Sequence, residues 1–367
     1  MPTELDYLSQ DKFDLEMERI YYKSWSFAGY LSDIPNNNDY FLEHIGSKEV
    51  IIQNLNGSIR AFTNVCPHRF SAIHAQPCGN RSLVCPYHLW SFDQEGMARV
   101  PTTADTSCLN GIDRNNLRLQ QWKVQTVGNL IYVCLNLDVV PLVDYLGPSW
   151  NWIEEISNAR GHEFERFDTE IRANWKIIIN NTVEFYHAYS VHPQTFRPLI
   201  KAPLEPIISL PVASPNIHYA MPLKEDLGAS HRLDRILKRF LNVPRLIQSN
   251  SYEHVYSFPN LTIGHVNGRC FSFFHYTPIC ATKTRLRVRM WMPPPNEPSE
   301  AIQNLCRQYE ATTRPFIRQI SDEDQSICEL VQRGIASRPK GAKQNFIEKE
   351  NLIAQFQSNY RRMMKDK

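Results

Sequence analysis

The sequence predicts an α+β protein of two domains, the first all-β and the second mixed. Three observations lead there. The chain has 367 residues, enough for about two domains that each bury a core. From about Ser26 to Asn136 it runs as short apolar segments broken by turns. Beyond that, helical and strand patterns segregate along the chain instead of alternating, as an α+β domain requires.

The elements follow in order. Lys12 to Trp25 (KFDLEMERIYYKSW) spaces its apolar residues as an amphipathic helix, an N-terminal arm over residues 1–27. Val50 to Leu55, Arg60 to Val65 and Asn129 to Leu135 read as strands, with Asn56-Gly57 a two-residue hairpin between the first two. These belong to a domain over residues 28–139. Asp138 to Ser149 is a Val/Leu/Pro connector into a second domain over residues 140–367. There, Asn174 to His192 reads as one helix, with Trp175, Ile178, Ile179, Val183 and Tyr186 at three- and four-residue intervals. Phe271 to Tyr276 and Thr284 to Met292 read as adjacent strands. In the latter, Leu286, Val288, Met290 and Met292 alternate with Arg285, Arg287, Arg289 and Trp291. The end, Phe346 to Met364, is again helical. No repeat or low-complexity stretch interrupts this order.

Composition narrows the class. A hydrophobic content of 42% and a charged content of 21% describe an ordinary soluble protein. The net charge of +2 is too small to favour nucleic acid or an acidic membrane as partner. No apolar run reaches the roughly 20 residues of a membrane span. The first residues lack the basic and apolar parts of a signal peptide, so a cytoplasmic protein is expected. Nine Cys, an odd number scattered along the chain, read as buried free thiols in a reducing compartment, Cys66 and Cys85 apart. Cys78, between those two, has no evident partner.

Two short ligand clusters carry the chemistry. Cys66-Pro-His68 is followed by Cys85-Pro-Tyr-His88, an alternating C-x-H and C-x2-H pattern. That order suits a [2Fe–2S] cluster with two Cys on one iron and two His on the other. Structural zinc is the alternative, but zinc sites usually group Cys with Cys and His with His. Further on, Glu184-Phe-Tyr-His187-Ala-Tyr-Ser-Val-His192 supplies two imidazoles and a carboxylate, much of a mononuclear Fe(II) site. His187 and His192 lie five apart, roughly 140° around an ideal helix. They meet on one ion only if the helix is bulged or ends between them, which Pro193 favours.

C-P-H-R…C-P-Y-H-x-W resembles the Rieske domain of the aromatic-ring-hydroxylating (Rieske non-haem iron) oxygenases, α subunit. Neither loop carries the extra Cys usual in the cytochrome bc type. The resemblance covers nearly the whole chain. It implies a Rieske domain followed by a catalytic domain whose curved antiparallel sheet wraps around helices, of helix-grip type. Phe70 and Leu89 stand where the family usually has Gly or another small residue.

The resemblance also implies the remaining roles. In Ser321-Asp-Glu-Asp324…Gln332-Arg-Gly, Asp324 matches the family's third iron ligand, with Asp322 and Glu323 in reserve. Spacing alone favours a different role, since Ser321 and Asp324 are close to a capping box. Glu184 matches the acidic bridge between the first iron His and His88 of a neighbouring subunit, a homotrimer being implied. Asn180, one turn earlier, is either a group near the iron or a helix-surface amide. The implied activity is a terminal oxygenase, fed from NAD(P)H by a reductase with or without a ferredoxin. Glu184 resembles the branch with choline- and carnitine-type monooxygenases, which favours hydroxylation or oxidative demethylation. A cis-dihydroxylating α subunit and a Rieske electron-transfer protein without oxygenase activity are the rivals. Ala202 to Tyr276 is expected to line the pocket, with His218, Tyr219, Tyr256, Phe258, Phe271 and Phe274 either stacking on substrate or packing as core. The arginines at 285, 287 and 289 are either a solvated face or a docking face for an acidic electron donor.

Overall fold

A computed structural model describes residues 5–101, 113–201, 206–208, 214–224, 233, 236–247 and 251–365. The chain forms two compact units, Tyr21–Tyr145, and Met1–Ile20 together with Leu146–Lys367. The boundaries therefore fall at 20/21 and 145/146, against the 27/28 and 139/140 expected. The first helix packs with the C-terminal unit because one buried residue on it, Glu16, is held there.

The first unit is built on a seven-stranded sheet. Its strands are β1 (Ser26–Tyr30), β2 (Asp39–Ile45), β3 (Lys48–Leu55), β4 (Ser58–Thr63), β5 (Cys78–Asn80), β8 (Gln121–Val127) and β9 (Leu130–Cys134). They are ordered β1-β9-β8-β4-β3-β2-β5 and every pair is antiparallel. A separate ribbon joins β6 (Ser91–Phe92) to β7 (Ala98–Arg99). Asn56 (φ 55°) and Gly57 (φ 84°) turn β3 into β4. Two left-handed residues match the right-handed twist of the flanking strands, so the Asn-Gly hairpin forms as expected. Ile51, Phe62, Leu83 and Leu119 pack with Cys66 and Cys85 in one core cluster, while Ile52, Ala61, Ile131 and Val133 form another.

The second unit carries α1 (Gln10–Glu16), α3 (Trp150–Asn158), α4 (Trp175–Thr182), α5 (Ala188–Val191), α6 (Glu300–Ser337) and α7 (Asn351–Lys365); the connector between units contains α2 (Leu142–Leu146). Its sheet holds β10 (His162–Ile171), β11 (Ile207–Ile208), β12 (Ile217–Pro222), β13 (Ser251–Ser257), β14 (Leu261–Val266), β15 (Phe271–Cys280) and β16 (Lys283–Met292). The order β10-β16-β15-β14-β13-β12-β11 is antiparallel throughout, a curved sheet packed against α4 and α6.

Glu16 ties the N-terminal helix into this unit. Its carboxylate accepts from Lys176 Nζ at 2.6 Å, Trp175 Nε1 at 2.8 Å and the Tyr360 hydroxyl at 2.6 Å. A buried charge survives only when paired and hydrogen-bonded, and both Glu16 and Lys176 are fully buried. Asn174 caps α4 by accepting from Lys176 N at 3.0 Å, and its own N–H donates to Gln332 Oε1 on α6 at 2.8 Å.

The single helix expected over Asn174 to His192 is two. Past Thr182, the Glu184 carboxylate accepts from the backbone N–H of Tyr186 and of His187. A side chain thus takes donors that would otherwise bond carbonyls one turn back. The arginine row on β16 faces acids on β10: Arg289 meets Glu163 at 2.5 Å and Arg285 meets Glu170 at 3.6 Å. The eight described cysteines are free thiols, but only Cys66, Cys85, Cys134, Cys270 and Cys328 are buried. Cys78 is exposed and Cys280 and Cys306 are half-buried; Cys108 lies outside the described residues. Among the described residues, no helix is long and apolar enough to cross a membrane.

Candidate metal centres

The two cysteine loops have the same backbone. Phe70 N donates to Cys66 O at 3.0 Å and Leu89 N to Cys85 O at 3.0 Å. Cys66 N then donates to Ser71 O, and Cys85 N to Trp90 O, both at 2.8 Å. Closing each turn puts the fourth residue after Cys in the left-handed region, at φ 61° for Phe70 and 60° for Leu89. This is why glycine is usual there: side chains pay a steric cost at such φ values. Phe70 and Leu89 accept it and remain exposed.

The four ligand residues converge. Cys66 and Cys85 are buried with their side chains within hydrogen-bonding reach of each other. The His68 and His88 rings lie outside them, with centroids 4.6 Å apart. Trp90 stacks on His68 at 4.5 Å, nearly parallel. Asn64 fixes the approach: its Oδ1 accepts from Ile73 N and His74 N, both at 2.9 Å. Two buried thiols inside and two imidazoles outside fit a cluster with a Cys iron and a His iron.

The second centre lies within the C-terminal unit. His187 precedes α5 and His192 ends it, so the chain leaves the helix at Pro193. One short turn therefore brings together two rings that a continuous helix would splay. Asp324 sits deep inside the 38-residue α6, so neither it nor Ser321 caps a helix. Asp324 Oδ1 stands 3.2 Å from His192 Nε2 and 3.6 Å from His187 Nε2. One ligand atom from each residue lies within 4.8 Å of the other two.

The other ring nitrogens are also held. His187 Nδ1 bonds Glu184 Oε1 at 2.5 Å, and His192 Nδ1 bonds Glu323 Oε2 at 2.7 Å. Thr195 and Gln319 in turn donate to Glu323 at 3.1 and 2.8 Å. Carboxylates behind both rings leave each Nε2 lone pair for a cation, as metal-bound histidines generally require. Burial alone would raise the Asp324 carboxyl. Its hydrogen bond with His192, the His187 charge and the Asn181 amide hold it below the usual range. Burial likewise pulls the His187 imidazole down, but Glu184 and Asp324 lift it above its ordinary value. The set fits a divalent iron.

Two sequence assignments need revision here, and one residue is added. Asn180 does not reach the site: its amide donates to the Tyr7 hydroxyl at 3.4 Å. Its neighbour Asn181 does, with Nδ2 2.9 Å from Asp324 Oδ1. Glu323, held in reserve as an iron ligand, instead orients His192. A His at a helix end facing consecutive acids on another helix gave no local signal, because their contact spans 131 positions.

A cavity of about 560 Å³ opens beside the three donors. Its wall includes Phe185, Phe196, Tyr219, Tyr252, Phe274 and Phe316. Of the aromatic residues expected there, Tyr219 and Phe274 are present. His218 turns to Trp152 and Glu253, Tyr256 and Phe258 pack on Phe356, and Phe271 on His265. Parts of the expected Ala202–Tyr276 lining (202–205, 209–213, 225–232, 234–235 and 248–250) lie outside the described residues.

Comparisons with known proteins bear on the family and the fold. Residues 159–366 match the ring hydroxylating alpha subunit (catalytic domain) family, and residues 24–115 match the Rieske [2Fe-2S] domain. The chain is 31% identical over 201 residues to a glycine betaine monooxygenase oxygenase subunit from Pseudomonas aeruginosa, covering 53% of this chain and 45% of that protein. It is 26% identical over 411 residues to an anthranilate 1,2-dioxygenase large subunit from Burkholderia cepacia, covering 97% of this chain and 91% of that protein. The matched region spans about half the length of the first of these curated relatives, the betaine and carnitine monooxygenase subunits. Among solved structures, a quaternary ammonium Rieske monooxygenase in complex with L-carnitine superposes with a TM-score of 0.75 at 21% identity, covering 98% of this chain and 94% of that one. A naphthalene 1,2-dioxygenase bound to phenanthrene gives 0.74 at 21% identity, covering 98% and 91%. The chain belongs to the ring-hydroxylating alpha subunits, with a Rieske [2Fe-2S] domain ahead of the catalytic domain.

Proposed function

We propose that this chain is the terminal oxygenase component of a multicomponent system, hydroxylating or oxidatively demethylating a small organic substrate, aromatic or quaternary-amine. In hydroxylation a C–H bond becomes C–OH and the second oxygen of O2 leaves as water, consuming two electrons and two protons. Those electrons come from NAD(P)H through a reductase, with or without a ferredoxin. When bound, the [2Fe–2S] cluster on Cys66, His68, Cys85 and His88 relays electrons, and Fe(II) on His187, His192 and Asp324 activates dioxygen.

One observation carries the reading: two imidazoles and one carboxylate converge on a point that opens into a cavity. Three protein ligands leave positions for O2 beside a substrate, whereas a structural site would be closed. The protein's share is positional. Glu184 and Glu323 fix the ring tautomers, Asn181 orients Asp324, and the aromatic wall excludes water.

The electron path we infer runs from the partner subunit's His88 to Glu184 and His187 of this chain, within a homotrimer. The Glu184–His187 hydrogen bond supports its second leg. A cytoplasmic setting suits thiols that must stay reduced to serve as ligands. Cis-dihydroxylation is the second reading, favoured by the near full-length match to a dioxygenase large subunit.

An anaerobic iron count with EPR of the reduced protein tests the assignment. About three irons per chain and a Rieske-type signal are expected. In His187→Ala the count falls to about two with the signal intact. Two irons in the unaltered protein, unchanged by that substitution, would leave an electron-transfer protein. A substrate screen by NADH-coupled O2 uptake then finds the substrate, and counting the 18O atoms its product gains from 18O2, one or two, separates hydroxylation from dihydroxylation.

A further inference from the structure

The cavity wall is apolar and aromatic apart from the iron ligands and a few polar groups, most of which already have partners. Tyr276 shares its hydroxyl with Thr182 and Thr262 at 3.3 and 3.2 Å. The Tyr219 hydroxyl donates to Thr182 O at 3.4 Å. His254 differs. Its Nδ1 meets the Tyr252 hydroxyl at 2.9 Å, and its ring stacks on Tyr219 at 5.2 Å. Among the described residues its Nε2 has no partner, although the residue is only 4% exposed. A buried N–H left unbonded is costly, so such groups almost always find an acceptor.

The strand register shows where that acceptor has room. The residue directly opposite His254 on β14 is Gly264. A Cβ there would come within 3.1 Å of the Tyr252 hydroxyl. Glycine therefore keeps the His254–Tyr252 pair uncovered on the cavity side. His265, the next residue on β14, also lines the cavity and its ring nitrogens too lack hydrogen-bond partners among the described residues, but its ring stacks on Trp152, with Nε2 3.8 Å from Glu253, away from the His254–Tyr252 pair.

The tautomer follows from the pair. A buried tyrosine keeps its proton and needs an acceptor for it; His254 Nδ1 is at hydrogen-bond distance. Burial holds the imidazole neutral, its pKa pulled down to about 3. A neutral ring that accepts at Nδ1 carries its hydrogen at Nε2.

We propose that His254 Nε2–H is a substrate-recognition donor, selecting an uncharged, largely apolar molecule that carries a hydrogen-bond acceptor such as a carbonyl oxygen. Two further observations favour an uncharged ligand. No Lys or Arg is among the described residues of the wall, so a free carboxylate would lack a counterion. The rings best placed to cage a cation are packed on each other instead: Phe196 lies 5.1 Å from Tyr252 and 5.4 Å from Phe185. The inference rests on reading this cavity as the substrate site of the proposed oxygenase.

Equilibrium dialysis of the iron-loaded protein against three probes tests it: 1-indanone, shape-matched indane, and phenyltrimethylammonium. The quantity read is the ratio of the indane to the indanone dissociation constant. In His254→Leu that ratio should fall about fivefold with indane binding retained, the size of one hydrogen bond. Tyr252→Phe, which frees the tautomer, should give a smaller fall in the same direction. An unchanged ratio in both variants overturns the proposal, as does absence of indanone binding to the unaltered protein. Tighter binding of phenyltrimethylammonium than of either neutral probe also overturns it, because the wall is then a cation site. The iron count and EPR signal report separately on the oxygenase reading. A protein with three irons and an unchanged ratio loses only this inference.

Discussion

His192 Nδ1 stands 2.7 Å from Glu323, and the next residue on that helix, Asp324, stands 3.2 Å from the same ring's Nε2. Consecutive acids on one helix thus flank one imidazole from both sides, Glu323 orienting the ring and Asp324 facing the nitrogen left for a metal. Removing the first should weaken the metal without removing a ligand. Glu323→Ala is expected to lower iron affinity about 10- to 100-fold. Competition with a calibrated chelator measures it, and the Rieske signal should not change. Affinity equal to that of the unaltered protein would show that the contact does not position His192.

The adjacent asparagines have separable roles. Asn181→Ala removes the amide from Asp324 and should lower iron occupancy and turnover together. Asn180→Ala loses only a bond to the Tyr7 hydroxyl and should retain its iron. The opposite pattern would restore Asn180 to the site.

Phe70 and Leu89 hold left-handed backbones at equivalent points of the two cluster loops. Strain of about 1 kcal/mol per residue is relieved if glycine takes the position. Phe70→Gly and Leu89→Gly should each stabilise the first unit by up to about 0.5 kcal/mol, net of glycine's greater chain entropy. Thermal bleaching of the cluster's visible absorption measures the change, and lower stability in both would contradict the strain argument.

The Glu16 carboxylate accepts from three buried donors. Glu16→Ala strands the Lys176 ammonium and should cost about 3–5 kcal/mol in urea unfolding. A loss below 1 kcal/mol would mean that the cluster does not anchor the N-terminal helix.

Acid should destabilise the fold through buried imidazoles. Burial, with Arg81 nearby, pulls His74 down to about 4, and burial also pulls His265 to about 4 against the opposing Glu253 charge. In the unfolded chain both titrate near 6.5. Between about 4 and 6.5 the unfolded state binds more protons, so stability rises with pH there and levels off above. The urea midpoint should fall as pH drops from 6.5 to 4.5. His74→Gln should flatten that slope; an identical slope would show that His74 does not contribute.

Much of this was legible in the sequence, for local reasons. The C-x-H and C-x2-H loops, the Asn56-Gly57 hairpin and the paired strands of 271–292 are all specified by residues near one another. The fold class follows from the same patterns, and the family comparisons agree with it. Tertiary relationships were less legible. The helix through His187 breaks because Glu184 captures backbone N–H groups, whereas its apolar spacing runs on unbroken. The Ser321–Asp324 spacing imitates a cap because it does not reveal that α6 began far upstream. Asn180 and Asn181 are equivalent amides until the helix phase relative to α6 is known.

The long separation between Glu323 and His192 bears on how the protein matures. Residues 131 positions apart must meet before any iron can be gripped, and closing so long a loop is slow. The second centre therefore cannot preorganise during synthesis until the ribosome has released most of the chain. The Rieske loops, lying wholly within an early unit, can capture their metal first. A copy truncated before Asp324 would keep both cysteine loops yet lack one of the three donors of the second centre.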